Sequence, residues 1–470
     1  MINALLALCL LPFASAATRP RPEPLPESAW APPAPTQRTL SAAAGGMPVY
    51  IVEDHETPLW QVRRVLPRGG WSDPAGRPGT ADAALSMLLE GTTSKSAEEI
   101  AVAARRLGAD LSAGASADAG SITVSGITRT MPEAIALWAE VVRTPSFPES
   151  AWAREQTRRA TDAASRLERP DVLARQVAGR LFYGETYRGL YDTPDTWKAT
   201  SVADLRTWYT ANVVPDGAFL LVGGDVDPDA VTALLESAFA GFSGAAPAGT
   251  VPAPAPGSGN KALFLIDNPG APQSVVSAGA LVNVAAPTIE ALRVANDLLG
   301  GSFTSRINSN LREAKGWTYG ARCSFDDERY GAASWVCSSS IRTDATADAV
   351  AELQREITEA VTTRPPTDEE VTFYRSSALL GLPGSYETTG ALLDTVAANR
   401  LYGRPETWLA QRTKAIAAVE ASSARAALTA TIDPSALTWL VVGDAATVEP
   451  ALVAKGWLVQ RIDRDGKPLP

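Results

Sequence analysis

The pattern of apolar and polar residues predicts groups of strands and helices along the chain. VYIVEDHETPLWQV predicts two strands joined by a turn that carries His55. AVAARRLGADLSA predicts a helix that ends at Gly108. SITVSGI predicts a strand that leads into a helix with Pro132 near its first turn, and AWAREQTRRATDAASRL predicts a long amphipathic helix.

The order of these elements indicates the fold class. Each half of the chain has the predicted order strand, strand, helix, helix, strand hairpin, long helices and final strand. Runs of strands followed by runs of helices are typical of the α+β class, with the helices on one face of a sheet. We therefore predict two α+β domains, each an antiparallel sheet backed by helices.

The two halves also repeat each other in sequence. LFYG recurs as RLYG, PDTW recurs as PETW, and VYIVED corresponds to LFLIDN. Pro215 corresponds to Pro434, and Asp225 corresponds to Asp444 at the same offset. A shared offset over several elements indicates that the chain arose by duplication.

A segment rich in Pro, Gly and Ala separates the two halves. GAAPAGTVPAPAPGSGNK has the composition of a linker. We place this linker at 244–261, between a first domain at 41–243 and a second domain at 262–465. Each domain is at the upper end of the usual size for a single domain.

The N-terminus has the composition of an export signal. Residues 4–14 are almost wholly apolar, and A-S-A at 14–16 has the form of a cleavage site. A buried N-terminal helix is the alternative, but the Pro-rich segment at 17–40 cannot continue a helix. The apolar run is too short to cross a bilayer. We therefore expect a signal peptide at 1–16, a periplasmic or secreted protein and no membrane span.

Composition and charge exclude several partners and types of active site. The chain has 470 residues, a formal net charge of -10 and a sequence pI near 5.0. This acidity argues against nucleic acid or an anionic membrane as the partner. His55 is the single histidine, so no site can use two imidazoles. We interpret His55 as an exposed turn residue rather than a catalytic base.

Two cysteines remain once Cys9 of the predicted signal peptide is removed. Cys323 and Cys337 flank FDDERYGAA almost symmetrically. Two strands folded about this turn-like sequence would place the cysteines opposite each other, and an exported protein can keep a disulfide. We predict a cross-strand disulfide, with two free, partly buried thiols as the alternative.

Two short segments carry residues with possible chemistry. GTADAALSMLLEGTT at 79–93 places Asp82 and Ser86 on one face of an apolar helix. In SRINSNLREAKGWTYG, Arg312 and Tyr319 lie on either side of a predicted helix–strand turn. A guanidinium and a phenol at such a turn can both donate to a carbonyl or an oxyanion. From spacing alone, a solvated arginine and a sheet tyrosine are the simpler interpretation.

SRINSNLREAKGWTYG resembles the second-domain signature of pitrilysin/insulinase-type zinc peptidases. In that family, Ser-Arg-Leu leads to Leu-Arg-Glu and then to Gly-x-x-Tyr. The resemblance covers nearly the whole mature chain and includes LLEGTTSKSAEEIA, RLGADLSA and LLVGGDVDP. It implies that Arg312 and Tyr319 bind substrate and steady the scissile carbonyl.

The same resemblance implies that the zinc site of the first domain is degenerate. In catalytic members, the helix at 79–93 carries the inverted motif H-x-x-E-H. Its two histidines correspond to Asp82 and Ser86, its glutamate corresponds to Leu85, and a third ligand falls at or next to Asp162. Leucine cannot act as a base, and serine is a poor zinc ligand. We expect no metal and no catalysis here, with weak cation binding by Asp82 and Asp162 as the alternative.

The resemblance further implies a clamshell of two homologous domains around a peptide, and bacterial pairs of chains that divide the catalytic residues. Our first hypothesis is a non-catalytic subunit of a heterodimeric zinc metallopeptidase. Zinc then belongs to a homologous partner with H-x-x-E-H, and Arg312 and Tyr319 complete that partner's site on peptide substrates. The second hypothesis is a zinc-free peptide-binding or scaffold protein without a peptidase partner. No constellation supports an independent enzyme.

Overall fold

The computed structural model of the protein describes residues 34–249, 251, 263–284, 288–325 and 329–469. The predicted signal peptide with Cys9, most of the Pro-rich segment and most of the predicted linker lie outside these residues. Along the described ranges, no helix combines the length and the apolar character needed to cross a lipid bilayer.

The first half of the chain builds one six-stranded sheet. Its strands are β1 (Thr36–Thr39), β2 (Pro48–Glu53), β3 (Leu59–Leu66), β4 (Asp110–Ala115), β5 (Gly120–Ile127) and β6 (Phe219–Gly224). The strand order is β1-β2-β6-β3-β5-β4. All neighbours are antiparallel except β2 and β6, which are parallel. The predicted turn with His55 lies between β2 and β3, as expected.

Eight helices accompany these strands within the described part of the first half. They are α1 (Thr80–Ser86), α2 (Ala97–Leu107), α3 (Met131–Arg143), α4 (Glu149–Arg166), α5 (Pro170–Tyr183), α6 (Pro194–Ala199), α7 (Val202–Asn212) and α8 (Pro228–Ala238). Helix α2 begins with a capping box in which Ser96 and Glu99 satisfy each other's backbone N–H groups. It ends at Gly108, whose φ of 59° lies in the left-handed region, so the predicted helix end is confirmed.

The second half builds a second six-stranded sheet. Its strands are β7 (Leu263–Asp267), β8 (Gln273–Val282), β9 (Thr318–Phe325), β10 (Ala333–Arg342), β11 (Thr438–Gly443) and β12 (Val459–Arg461). The strand order is β12-β7-β11-β8-β10-β9. Strand β7 is parallel to both β11 and β12, and the other pairs are antiparallel.

The helices of the second half follow the same general order. They are α9 (Ile289–Asn296), α10 (Arg306–Asn308), α11 (Thr346–Val361), α12 (Asp368–Ser385), α13 (Thr389–Leu401), α14 (Trp408–Ala417), α15 (Ala421–Thr431) and α16 (Ala445–Ala454). Two π-helical turns continue α9 and α10, at Asp297–Gly301 and Ser309–Ala314. Such turns widen a helix by one residue and are frequent at functional sites.

The two sheets share one topology. The order β2-β6-β3-β5-β4 in the first sheet matches β7-β11-β8-β10-β9 in the second. Only the outermost strand differs, because β1 is antiparallel to β2 whereas β12 is parallel to β7. The α+β class with two homologous halves is confirmed. The sheets are mixed rather than purely antiparallel, since a helical crossover returns the chain beside β2 and beside β7 in the parallel sense.

Each sheet buries one face against helices of its own half. In the first half, Leu85 of α1, Trp138 of α3 and Phe239 lie in one apolar core with Val62 and Ile122 of the sheet. In the second half, a separate core joins α9, α11 and α15 to the sheet. Burial of these apolar side chains supplies most of the stability of each half.

The opposite face of each sheet is covered by a helix from the other half. Leu173 and Val177 of α5 pack with Phe264 and Val442 in the second sheet. Reciprocally, Leu393 of α13 packs on the first sheet, together with partly buried residues of the same helix. This places each sheet between helices of both halves, so each half completes the burial of the other half's sheet.

Polar contacts reinforce the position of α13 on the first sheet. Thr389 Oγ1 donates to Asp54 Oδ2 at 2.7 Å, next to the end of β2. Arg63 Nη1 of β3 donates to Asp394 Oδ1 at 2.5 Å. These contacts fix α13 along the sheet as well as against it.

The packing of α13 on the first sheet predicts that a cavity beneath this helix will destabilise the first sheet rather than the second. Leu393→Ala removes a fully buried side chain and should lower the free energy of unfolding by about 2–5 kcal/mol. Hydrogen exchange followed by mass spectrometry should show faster exchange in β2 and β6. Leu353→Ala in α11 is the matched control, because Leu353 is equally buried in the second core. If β2 and β6 of Leu393→Ala are protected from hydrogen exchange as in the wild type, the packing of α13 on the first sheet is contradicted.

Candidate functional site

Helix α1 positions the first pair of candidate residues. Its N-cap is Gly79, whose φ of 89° is left-handed and whose missing side chain admits the ring of Trp197. Asp82 Oδ1 accepts a hydrogen bond from the backbone N–H of Ala115 in β4 at 2.9 Å. Ser86 Oγ donates to the backbone carbonyl of Asp82 at 2.6 Å. Strand β4 and helix α1 therefore hold both polar groups in place.

Leu85 lies between these two residues in sequence but belongs to the apolar core. Its side chain is completely buried, and it packs among the residues that join α1 to the first sheet. It closely approaches Gly120, where an added side chain would collide with it. Leu85 therefore fills the core, and its position offers no proton acceptor.

A guanidinium occupies the space between α1 and α4. Arg159 Nη1 donates to Asp82 Oδ2 at 2.9 Å, and Nη2 donates to Ser86 Oγ at 2.8 Å. Arg159 Nε donates to Glu155 Oε1 of the preceding helical turn at 2.6 Å. The guanidinium carbon lies 5.1 Å from the centre of a Trp197 ring, within the range of a cation–π contact. Every edge of the guanidinium thus has a partner.

Burial makes this cluster tight. The Arg159 side chain is 11% exposed and that of Glu155 is 18% exposed. The hydrogen bond from Arg158, followed by the nearby positive charge of Arg159, lowers the pKa of Glu155 although burial opposes it. Glu155 thus stays ionised, and the cluster pairs one buried cation with carboxylates on two helices.

Asp162 lies one turn further along α4 and has a different partner. Its Oδ2 accepts a hydrogen bond from Arg158 Nη1 at 2.6 Å, and its side chain is 55% exposed. Over the described chain, no hydrogen bond or ion pair joins Asp162 to Asp82. The side chain of α4 that contacts Asp82 is therefore Arg159, not Asp162. Arg159 pairs with the Asp82 carboxylate and neutralises its charge.

The residues at this site do not fit a zinc ion. Zinc is bound by three or four protein atoms that each offer a lone pair. The guanidinium of Arg159 offers N–H groups instead, and it already forms hydrogen bonds with Asp82 Oδ2 and Ser86 Oγ. A dication would also be repelled by the guanidinium. In the ranges that the structure describes, no group of three His, Cys, Asp or Glu side chains is arranged to bind a metal.

A cavity of about 300 Å³ opens beside this cluster, and Asp73, Asp82 and Asp192 are among its lining residues. Asp73 accepts hydrogen bonds from the backbone N–H groups of Gly79 and Ala81 at 2.6 and 2.7 Å. Burial is the main cause that raises the pKa of Asp73 to about 7. The cavity is therefore acidic, and its carboxylates are engaged by the start of α1, by Arg159 and by the α4 residue Arg166.

Arg312 and Tyr319 lie on the second half and are accessible to solvent. Arg312 is carried by the π-helical turn after α10 and pairs with Glu313. Its guanidinium carbon lies 4.1 Å from the ring centre of Phe303. Tyr319, in the edge strand β9, is 91% exposed. The predicted turn is present, with Gly316 at a φ of 62°, but within the described residues no hydrogen bond joins Arg312 to Tyr319.

Cys323 and Cys337 are register partners on β9 and β10. The structure places them in a disulfide with a Cα–Cα separation of 3.9 Å. Both side chains are buried. The bond links the edge strand that carries Tyr319 to the interior of the second sheet.

His55 is exposed but has two acidic neighbours. Its Nδ1 lies 2.8 Å from Asp225 Oδ1, and its Nε2 lies 3.8 Å from Glu53 Oε2. Asp225 Oδ2 also accepts a hydrogen bond from Thr128. The hydrogen bond with Asp225, and then the negative charges nearby, raise the pKa of His55. The imidazole therefore acts as a surface ion-pair partner at the end of β6.

No pattern in the sequence identified Arg159, Glu155 or Phe303 as site residues. The four-residue spacing of Glu155 and Arg159 indicates an ion pair along one helix, but gives no sign that Arg159 also bridges to Asp82. Phe303 has no local signal, because its contact with Arg312 depends on how the chain turns between Phe303 and the start of α10.

Two family models match the sequence. The model of the insulinase family, peptidase family M16, matches residues 49–188. The model of the peptidase M16 inactive domain matches residues 200–377. The two matches together cover well over half of the chain. No curated protein matches the chain significantly in sequence.

Several solved structures have the same fold at low sequence identity. A peptidase M16 inactive domain from Pseudomonas fluorescens has a TM-score of 0.78 and 22% identity over 87% of this chain and 97% of that chain. A protease from Helicobacter pylori has a TM-score of 0.74 and 17% identity, over 87% of this chain and 100% of that chain.

The periplasmic protease PqqL from Escherichia coli is also similar, with a TM-score of 0.73 and 16% identity. The match covers 94% of this chain but only 49% of PqqL. The first half of PqqL by itself matches with a TM-score of 0.69 and 16% identity, over 90% of this chain and 98% of that half. This chain therefore has the fold of one half of a longer protease.

The internal guanidinium should be a major stabilising group. Arg159→Ala leaves Asp82 and Glu155 without their common partner and should lower the free energy of unfolding by about 2 kcal/mol, less than for a fully buried pair because Asp82 is 40% exposed. Arg154→Ala is the matched control, since Arg154 lies on the same helix, is 69% exposed and pairs with Glu90 at 3.3 Å, and its loss should change stability by less than about 0.5 kcal/mol. Urea denaturation measures both, and equal losses would refute the assignment.

The single histidine allows an unambiguous titration. Because the pKa of His55 is raised in the folded state, its stabilising effect is complete below the unfolded value and is lost as pH rises through the folded value. The thermal midpoint of wild type should exceed that of His55→Gln at about pH 5.5 and equal it at about pH 9. NMR should give a lower imidazole pKa in Asp225→Asn, and an unchanged pKa would exclude Asp225 as the cause.

Proposed function

Because this chain belongs to the insulinase family of peptidases, peptidase family M16, we propose that it is the non-catalytic subunit of a heterodimeric zinc metallopeptidase. The observation that carries the proposal is the contrast between its two candidate sites. Arg159 fills the degenerate site of the first half, whereas in the second half Arg312 is 31% exposed and Tyr319 is 91% exposed.

The first site is closed to hydrolytic chemistry by its own contacts. A water molecule activated there would need a metal ion and a general base. Arg159 holds the oxygen atoms that could bind a cation, and Leu85 is buried where the family has a glutamate. Zinc and the general base therefore come from a homologous partner that carries H-x-x-E-H.

The second site retains donors that can act on a peptide bound in the partner's site. Arg312 offers guanidinium N–H groups and Tyr319 offers a phenolic O–H. Both can donate to the scissile carbonyl, and more strongly to the oxyanion that forms when water attacks it. Holding the peptide in one orientation adds a contribution from proximity. Arg312 and Tyr319 thus supply orientation and oxyanion stabilisation in trans.

The length of one related protease, PqqL, supports a paired assembly. This chain covers 49% of PqqL, a single protease chain about twice as long. Two chains of this type together would supply the two halves that PqqL joins covalently. The export signal predicted at 1–16 is consistent with the periplasm, the compartment named for PqqL.

The proposal predicts activity only in the mixture of the two subunits. The full chain combined with its H-x-x-E-H homologue should cleave a quenched fluorescent peptide, and neither chain alone should match that rate. Arg312→Ala should lower kcat by about a hundredfold or more, the usual cost of losing one oxyanion donor. Tyr319→Phe removes only the hydroxyl and should also lower kcat.

Arg342→Ala is the matched control, because Arg342 is an exposed arginine of the second half that pairs with Asp344, as Arg312 pairs with Glu313. It should leave the rate unchanged. Full activity in Arg312→Ala and Tyr319→Phe would refute completion in trans. Peptide binding without hydrolysis in the mixture would instead support a scaffold protein, and stoichiometric zinc in this chain alone would overturn the closed first site.

A further inference from the structure

Phe303 is an exposed aromatic residue in contact with Arg312. Its side chain is 65% exposed, yet its ring centre lies only 4.1 Å from the guanidinium carbon of Arg312. This separation is well within the 6 Å range of a cation–π contact. The ring thus covers one face of the guanidinium while most of its own surface stays in water.

The backbone on both sides of Phe303 is anchored to the interior. Ser302 Oγ donates to Tyr374 Oη at 3.3 Å, and Tyr374 Oη donates to the carbonyl of Thr304 at 3.0 Å. Asn308 Nδ2 donates to the carbonyl of Ser302 at 3.0 Å. Asn308 and Tyr374 are buried. The ring therefore projects from a fixed segment, although it lies at the surface.

The remaining contacts of Arg312 leave part of its guanidinium free. Nη1 donates to the carboxylate of Glu313. Within the described residues, Nε and Nη2 have no hydrogen-bond partner. Phe303 thus holds the plane of the guanidinium and Glu313 holds one end of it, so the remaining N–H groups are directed away from both.

We propose that Phe303 is a positioning residue that fixes the plane of Arg312 for donation to the peptide carbonyl. The inference rests on the proposed function, because it assigns Phe303 a role in the same site. A free arginine side chain has many rotamers, and ordering them during the reaction would cost free energy. Stacking on Phe303 orders the guanidinium before the peptide arrives, which favours the transition state.

Phe373 provides a matched control on the same half of the protein. It is also exposed, at 58%, and its ring packs edge-on against the ring of Tyr374 at 5.1 Å. No arginine or lysine stacks on Phe373 within the described part of the chain. Phe373→Leu therefore removes an exposed ring of the same kind that does not contact Arg312. The contact it loses is with the ring of Tyr374, whereas the hydrogen bonds that anchor the segment of Phe303 are made by the Tyr374 hydroxyl.

The kinetic experiment uses the full chain mixed with its H-x-x-E-H homologue and a quenched fluorescent peptide. Phe303→Leu should lower kcat about two- to fivefold, the range that corresponds to an exposed cation–π contact, and should leave KM unchanged. Phe303→Trp should restore kcat because it retains an aromatic face. Phe373→Leu should match wild type. Thermal unfolding should be the same for all four proteins, since both rings are exposed.

A second measurement requires no partner. In the full chain with isotope-labelled arginine, the NMR signal of the Arg312 Nε–H group is identified by its disappearance in Arg312→Lys. An aromatic ring over the guanidinium shifts this signal upfield. Phe303→Leu should abolish the shift, Phe303→Tyr should keep it, and Phe373→Leu should not alter it.

The outcomes separate the inference from the proposed function. If Arg312→Ala leaves the activity of the mixture intact, the proposed function fails. If Arg312→Ala lowers kcat and Phe303→Leu does not, the proposed function stands and positioning by Phe303 is overturned. Positioning by Phe303 is also overturned if the NMR signal of Arg312 is unaffected by Phe303→Leu. A lower kcat in Phe303→Leu, rescued by Phe303→Trp, supports it.

Discussion

The reciprocal exchange of helices between the two sheets is the constraint on which the rest of the structure depends. Helix α5 of the first half covers the second sheet, and α13 of the second half covers the first. Each sheet therefore reaches full burial only when both halves are folded. Because apolar burial is the main source of stability, the two halves are coupled into one unit, and the positions of both candidate sites are fixed within it.

The degenerate site of the first half is part of this construction. Helix α4 carries Arg159 and leads within a few residues into α5. The guanidinium ties α4 to α1 through Asp82 and Ser86, and to Trp197 through the ring face. An internal cation thus joins α1 and α4, the two helices on which the family resemblance leads us to expect a degenerate metal site. A largely buried charge is stable here because each of the three guanidinium nitrogens donates to an acceptor.

The two halves of a duplicated chain have diverged in opposite directions. In the first half, the polar residues Asp82 and Ser86 of α1 form hydrogen bonds with Arg159 of the same half. In the second half, Arg312 and Tyr319 remain at the surface, and the disulfide between Cys323 and Cys337 fixes the strand that carries Tyr319. This asymmetry supports a division of labour, in which the chain contributes groups that recognise a peptide and leaves hydrolysis to a partner.

The sequence by itself determined the α+β class, the duplication and local features such as the end of α2 at Gly108, because helical and strand periods and glycine caps act over a few residues. Only the tertiary structure decided that Arg159, and not Asp162, lies against Asp82, that α13 packs on the first sheet, and that Phe303 stacks on Arg312. The first two contacts join elements that are distant in sequence, and the third depends on how the chain turns between Phe303 and α10. Their choice depends on competition among many possible partners for the same buried space and charge, which no local pattern records.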